Sequence, residues 1–328
     1  MKTSKSKTFW SFLVAAILLV LLFLLSVKAG SIDITWKEIF DGIFGHGDYN
    51  FDNVHDTRFP RIFVAMLGGA ATAVSGVLLQ AVLKNPIADP GIIGVSSGAS
   101  LVSVILAFFF PALYLYKPLF ACIGGLLAFA IVYSLSWKSG LSPLRIILVG
   151  VAVSAMFTGI VDAFEAGTSN SGVSLINSNI SQLGWGDVEI LAVYCLIGVI
   201  AALCVAGQCN LLSLSDETAA SLGVHVNRSR ILVSCIAVLL ASSATAIIGP
   251  ISFLGLIVPH IARLLVGSNH KVLIPFTVLT GAFCFLLADT AGRLIAPPNE
   301  ISAAVIMAIV GGPFFIFLLR RSEKTYGM

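Results

Sequence analysis

The chain is expected to fold as an all-α polytopic membrane protein of about ten transmembrane helices. Its 328 residues are 58% hydrophobic and only 11% charged, with a mean hydropathy of +1.00, whereas soluble domains carry about 25% charged residues. Apolar segments recur at 9–27, 62–82, 92–110, 118–136, 144–164, 190–207, 231–248, 250–266, 272–295 and 301–319. At about 1.5 Å per residue, runs of this length approach the ~30 Å hydrocarbon core of a bilayer. A net charge of +3 is too small to indicate a nucleic-acid partner.

The first segment follows Lys2, Lys5 and Lys7, and Val27-Lys28-Ala29 loosely resembles a cleavage site. Its apolar run exceeds the roughly 7–15 residues of a signal h-region, so a retained helix is expected. The second segment, headed by Arg58 and Arg61, runs into Asn85, Pro86, Asp89, Pro90 and Gly91. Irregular backbone there must be buried in protein or face water. The eighth segment carries Pro259, His260 and Arg263 in its C-terminal half, and without it only nine spans remain. One membrane domain, 1–328, is expected, with a cytoplasmic segment at 210–226 between spans six and seven.

With the N-terminus in the cytoplasm, ten spans place thirteen of the nineteen Lys and Arg residues inside and six outside. That division fits the positive-inside rule and puts both termini in the cytoplasm. The outer exceptions Arg58, Arg61 and Arg293 then stand out. They can pair with carboxylates of a partner or snorkel to lipid headgroups, and their number favours the partner.

A faint internal repeat is present. Ala71-Thr72-Ala73-Val74-Ser75-Gly76 matches Ala244-Thr245-Ala246-Ile247-Ile248-Gly249, and a proline follows each glycine ten residues on, at Pro86 and Pro259. An offset of five spans makes the copies inverted, an arrangement common in transporters. Similarity between two Ala/Gly-rich helices arising by chance remains the competing explanation.

The chain lacks a phosphate-binding loop, an H-E-x-x-H and a G-x-S-x-G motif, so no route to hydrolysing ATP, peptides or esters is visible. Six cysteines without a C-x-x-C pair read as small buried hydrophobes, and neither a metal site nor a cofactor is expected. Gly68, Gly69, Ser75, Gly76, Ser96, Ser97 and Gly98 allow close helix packing or a wide passage. In Leu214–Val224, Ser215 can cap a short helix, Asp216 and Glu217 suit its positive end, and Gly223 can stop it. Two turns are marginal alone in water, so this element is expected to be docked and to serve a cytoplasmic partner.

The motifs RFPR, NPIADPGIIGVSSGAS, LSDETAASLGV, GPISFLGLIVPHIAR and LADTAGRL, in this order over nearly the whole chain, resemble the FecCD family of ABC importer permeases, which carry vitamin B12, ferric siderophores or haem. The resemblance implies the type II importer fold in the bacterial cytoplasmic membrane. It also implies a second permease subunit, identical or paralogous, two ATPase subunits that hydrolyse ATP, and an extracytoplasmic binding protein, expected to be a lipoprotein. Carried over residue by residue, Arg58, Arg61 and Arg293 would meet the binding protein. Asn85, Pro86, Ile87, Ser142 and Pro143 would form the cytoplasmic gate, and Ser215, Asp216, Glu217, Ala220, Leu222 and Gly223 would couple to the ATPase. His260 belongs to a family signature without an evident chemical reason.

Residues 167–189 depart from the family pattern, with Trp185 displaced toward Gly184 and Gly186, which weakens any transfer of path-lining residues there. Asp162 and Glu165 are expected to face the path or water, since lipid would penalise them. The surroundings PPNEISA and HKVLIPF resemble haem and siderophore permeases of Gram-positive bacteria, which leans the cargo toward haem, with B12 as the alternative. A channel would need a polar or charged filter ring, and an intramembrane enzyme a nucleophile and base at matched depth. Neither is visible.

Overall fold

The computed structural model describes residues 5–30, 34–44, 49–136, 143–167, 180–295 and 299–326. Those residues form thirteen α-helices: α1 (Lys5–Lys28), α2 (Trp36–Ile43), α3 (Tyr49–Val82), α4 (Val95–Phe109), α5 (Lys117–Ser136), α6 (Pro143–Gly167), α7 (Trp185–Cys204), α8 (Ala206–Leu212), α9 (Asp216–Ser221), α10 (Val226–Ile248), α11 (Leu254–Val266), α12 (His270–Ile295) and α13 (Ala303–Tyr326). Ten of these coincide with the ten apolar segments. Seven helices are long and apolar enough to cross a membrane, while α4, α11 and the apolar part of α13 are shorter.

The short helices have a physical cause. At 1.5 Å per residue, α4 and α11 rise about 22 Å and about 20 Å, so chain outside them must complete any crossing. Residues 83–94 and 249–253 are that chain, and Asn85, Ala88, Asp89, Ile93 and Ile251 are buried there. Non-helical backbone is thus covered by protein, as a lipid environment demands.

The long helix α3 is the most buried of the seven and packs against α7, α10, α11 and α12. By contrast, α1 and α6 leave most of their apolar windows uncovered, with Leu21, Leu25, Leu148 and Val151 exposed. In water such faces would be unfavourable, and against lipid they are required.

Small residues set the spacing. A Cβ on Gly76 would lie 2.0 Å from the Gly255 carbonyl oxygen, and one on Gly98 would lie 2.5 Å from that of Gly124. At these positions the small residues pack helix on helix. Helices α3 and α10 run antiparallel: the Ser75 hydroxyl donates to the Ala237 carbonyl at 2.7 Å, and Gly68 lies against Ile248.

The repeated motifs therefore occupy antiparallel neighbours, as an inversion requires, but they do not share a backbone. Gly76 sits within α3, whereas Gly249 ends α10 at φ 78°. Pro86 lies in a turn, and Pro259 lies inside α11. Proline has no N–H, so Pro259 leaves the Gly255 carbonyl without its helical donor, and the buried Gln80 side chain supplies one at 3.1 Å.

Candidate functional site

The expected site residues fall at two ends of the bundle. At one end, Arg61 of α3 grips Asp289 of α12 with its Nε and a terminal nitrogen, at 3.0 and 2.8 Å. Its other terminal nitrogen reaches Glu300 at 2.7 Å. Arg293, one helical turn after Asp289, approaches the same carboxylate at 3.2 Å and donates to the Ala29 carbonyl at 2.7 Å. Arg58 donates to the Val27 carbonyl at 3.0 Å.

All three arginines are buried, tying the end of α1 to α3 and α12. Expected on the surface, they instead have internal partners, and Asp289 and Glu300 are the residues that sequence reasoning missed. Asp289 stands inside the motif LADTAGRL, where a carboxylate in an apolar run signals a paired charge. Nearby, Trp185 begins α7 and sets its ring against His55 and Phe63, with centroids 5.1 and 5.8 Å apart. Asp162 is exposed. The side chain of Glu165 lies outside the described residues.

At the opposite end, α3 stops in a left-handed residue, Lys84 at φ 49°. The Asn85 N–H then returns to the Gln80 carbonyl at 3.2 Å, the bond that closes a Schellman cap. Asn85 accepts the Ile87 N–H on its side-chain oxygen at 3.1 Å, which shapes the turn through Pro86. Pro86 is exposed and Ile87 half-buried. Of the other expected gate residues, Ser142 lies outside the described residues and Pro143 begins α6, its side chain likewise outside them.

The six-residue α9 is capped by Ser215, whose hydroxyl accepts the Thr218 N–H at 3.2 Å, and the chain leaves it through Gly223 at φ 82°. Ala219 is buried beneath it, while Glu217, Ala220 and Leu222 are exposed. One carboxylate holds it in place: Asp216 receives Lys84 at 2.6 Å and Arg230 of α10 at 2.8 Å. The Lys84 hydrogen bond, reinforced by the charge of Arg230, holds the Asp216 carboxyl below its ordinary range. The turn after α3 and the start of α10 are thereby joined to α9.

Between that turn and α11 lies a cavity of about 630 Å³, lined by Gln80, Lys84, Asn85, His260, Arg263 and His270 among others. Gln80 is its organising residue. Its amide nitrogen donates to the carbonyls of Ala88 and Gly255, each at 3.1 Å, and its oxygen accepts Arg263. A lone glutamine in the apolar run from Ile62 to Val82 was the available signal. Among the described residues, no group of three or more metal-ligating side chains occurs.

The sequence profile of the FecCD transport family matches residues 18–321. The chain is 41% identical over 321 residues, 98% of its own length and 98% of the relative's, to a protein of Staphylococcus aureus strain Newman described as a heme-iron transport system permease, IsdF. The counterpart from strain Mu3 matches equally. Among solved structures, an inward-facing conformation described as a metal-chelate type ABC transporter superposes with a TM-score of 0.76 at 30% identity, covering 95% of this chain and 99% of the other. PsaBC from Streptococcus pneumoniae, in complex with a Fab, shares the fold at a TM-score of 0.58 and 19% identity, over 86% and 95% of the two chains.

Proposed function

The chain belongs to the FecCD transport family, and from that premise we propose that it is the permease subunit of an ATP-binding-cassette importer that moves an iron chelate, with haem as the cargo. The observation that carries the cargo is the 41% identity, over 98% of both chains, to a relative described as a heme-iron permease. The inside excess of Lys and Arg supports placing the α9 end in the cytoplasm and the arginine end outside.

On this reading, two ATPase subunits hydrolyse the ATP and press on α9. Asp216 passes that displacement through Lys84 to the turn at Asn85, Pro86 and Ile87, which gates the inner mouth together with Ser142 and Pro143. Short turns ending rigid helices are suited to such motion. A second permease subunit completes the path. The binding protein docks on the outer rim, whose shape Arg58, Arg61 and Arg293 hold through Asp289, with the part-exposed Glu300 at its edge.

The test is ATP hydrolysis by the complete complex in the presence of its binding protein and each cargo. Haem should stimulate hydrolysis, with a ferric siderophore or cobalamin leaving it at the basal rate. Stimulation by cobalamin alone would overturn the cargo, and hydrolysis by the purified chain without ATPase subunits would overturn the permease reading.

A further inference from the structure

At the α9 end, positive charge outnumbers negative among the described residues, and Arg263 is a cation there that faces no carboxylate. Arg263 of α11 donates to the side-chain oxygen of Gln80, a neutral amide, and to no acidic group among the described residues. It lines the cavity with Lys84, His260 and His270, and none of the lining residues is Asp or Glu. Lys84 and Arg230 share the single carboxylate of Asp216, so that group also retains a positive charge. Glu217 on α9 is exposed but does not line the cavity.

A guanidinium partly withdrawn from water is weakly served by an amide dipole and strongly by a carboxylate, which can take two of its N–H donors in parallel. The cavity has room for such a group beside Arg263. Its wall includes Ser213, three residues before α9, and Lys84, which holds α9, so the cavity opens next to the segment that carries α9.

We propose that this cavity receives an acidic side chain of the ATPase subunit, which pairs with Arg263 and makes a second contact beside α9. The proposal rests on the reading that α9 faces the ATPase. A protein carboxylate is favoured over a carboxylate of the cargo because the cavity is bordered by Ser213 and by Lys84, the residues that lead into and hold α9.

The test places one cysteine at Ser268, an exposed residue lining the cavity, and another at Leu222, the exposed residue that ends α9. Labelling by a membrane-impermeant maleimide is compared in the chain alone and in the complex, with the wild-type rate subtracted. Both sites should label at least tenfold more slowly in the complex. If Ser268→Cys labels equally fast while Leu222→Cys is protected, the cavity proposal is overturned and the coupling reading stands. If neither is protected, both are overturned.

The charge is tested by the affinity of the ATPase for the permease across a salt series. Arg263→Gln should weaken it at least tenfold and flatten its salt dependence. Arg263→Lys, which keeps the charge without the planar fork, should fall between. Unchanged affinity and salt dependence in both variants would overturn the carboxylate pairing.

Discussion

Replacing Asp216 by Asn removes the charge shared by Lys84 and Arg230 while keeping the side chain's shape. The carboxylate is about half exposed, at 52%, so solvent screens both pairs, and each contributes about 0.2–1 kcal/mol. The same negative charge at the start of α9 adds about 0.3–1 kcal/mol through the helix dipole. The docked state of α9 should therefore lose about 0.7–3 kcal/mol, which corresponds to roughly threefold to 150-fold in the opening equilibrium. Hydrogen exchange of amides 216–224 reads this directly, with faster exchange by that factor and no change in the middle of α3. In the reconstituted complex, the same variant should consume more ATP per cargo molecule moved. The pH dependence has a definite sign. Because the folded carboxyl lies below its ordinary value of 3.8, its contribution is present above that value and is lost as pH falls through the folded value. Protection corrected for intrinsic exchange should then be flat across neutral pH. Unchanged exchange together with an unchanged ATP-to-cargo ratio in Asp216→Asn would refute the link between α9 and the inner turn.

Asp289→Asn leaves Arg61 and Arg293 buried beside a neutral amide, and the midpoint of thermal unfolding in detergent should drop in keeping with a loss of about 3–5 kcal/mol; an unaltered midpoint would show that the cluster is not structural. Gly76→Val should abolish folded yield, because a Cβ there meets the Gly255 carbonyl at 2.0 Å, while Gly207→Val, with nothing within 4 Å of the new Cβ, should express normally. Gln80→Leu strips the donor from the Gly255 carbonyl and the acceptor from Arg263, with an expected loss of about 1–3 kcal/mol for each buried group left unsatisfied, read in the same unfolding assay.

The ten apolar helices were legible in the sequence because hydropathy reports burial in lipid directly. The short element at Ser215 was also legible, since its cap, acidic first turn and terminal glycine are local signals. What anchors that element was not. Lys84 is 132 residues from Asp216, and only the packing of α3 and α9 against their shared neighbours α8 and α10 brings them together. The internal partners of the arginines were hidden for the same reason. Read singly, Arg58, Arg61 and Arg293 are outer-rim cations, yet Asp289, 228 residues from Arg61, gives them an interior role. One consequence is practical: Arg61→Glu would set two carboxylates together in the interior, so the docking face is better probed with Arg61→Lys. The repeat at 71–76 and 244–249 was readable as sequence, but the helix break falls after Gly249 and not after Gly76, because Gly249 takes a positive φ that ends α10, and α11 restarts after the left-handed Phe253.

Proteoliposomes holding the chain with its ATPase subunits and binding protein decide whether it is an ATP-driven permease for haem. Labelled haem should accumulate inside only when ATP is available to the ATPase, and omitting the ATPase should stop uptake. Haem flux through the chain alone, or no ATP-dependent uptake of haem by the complete complex, would contradict it.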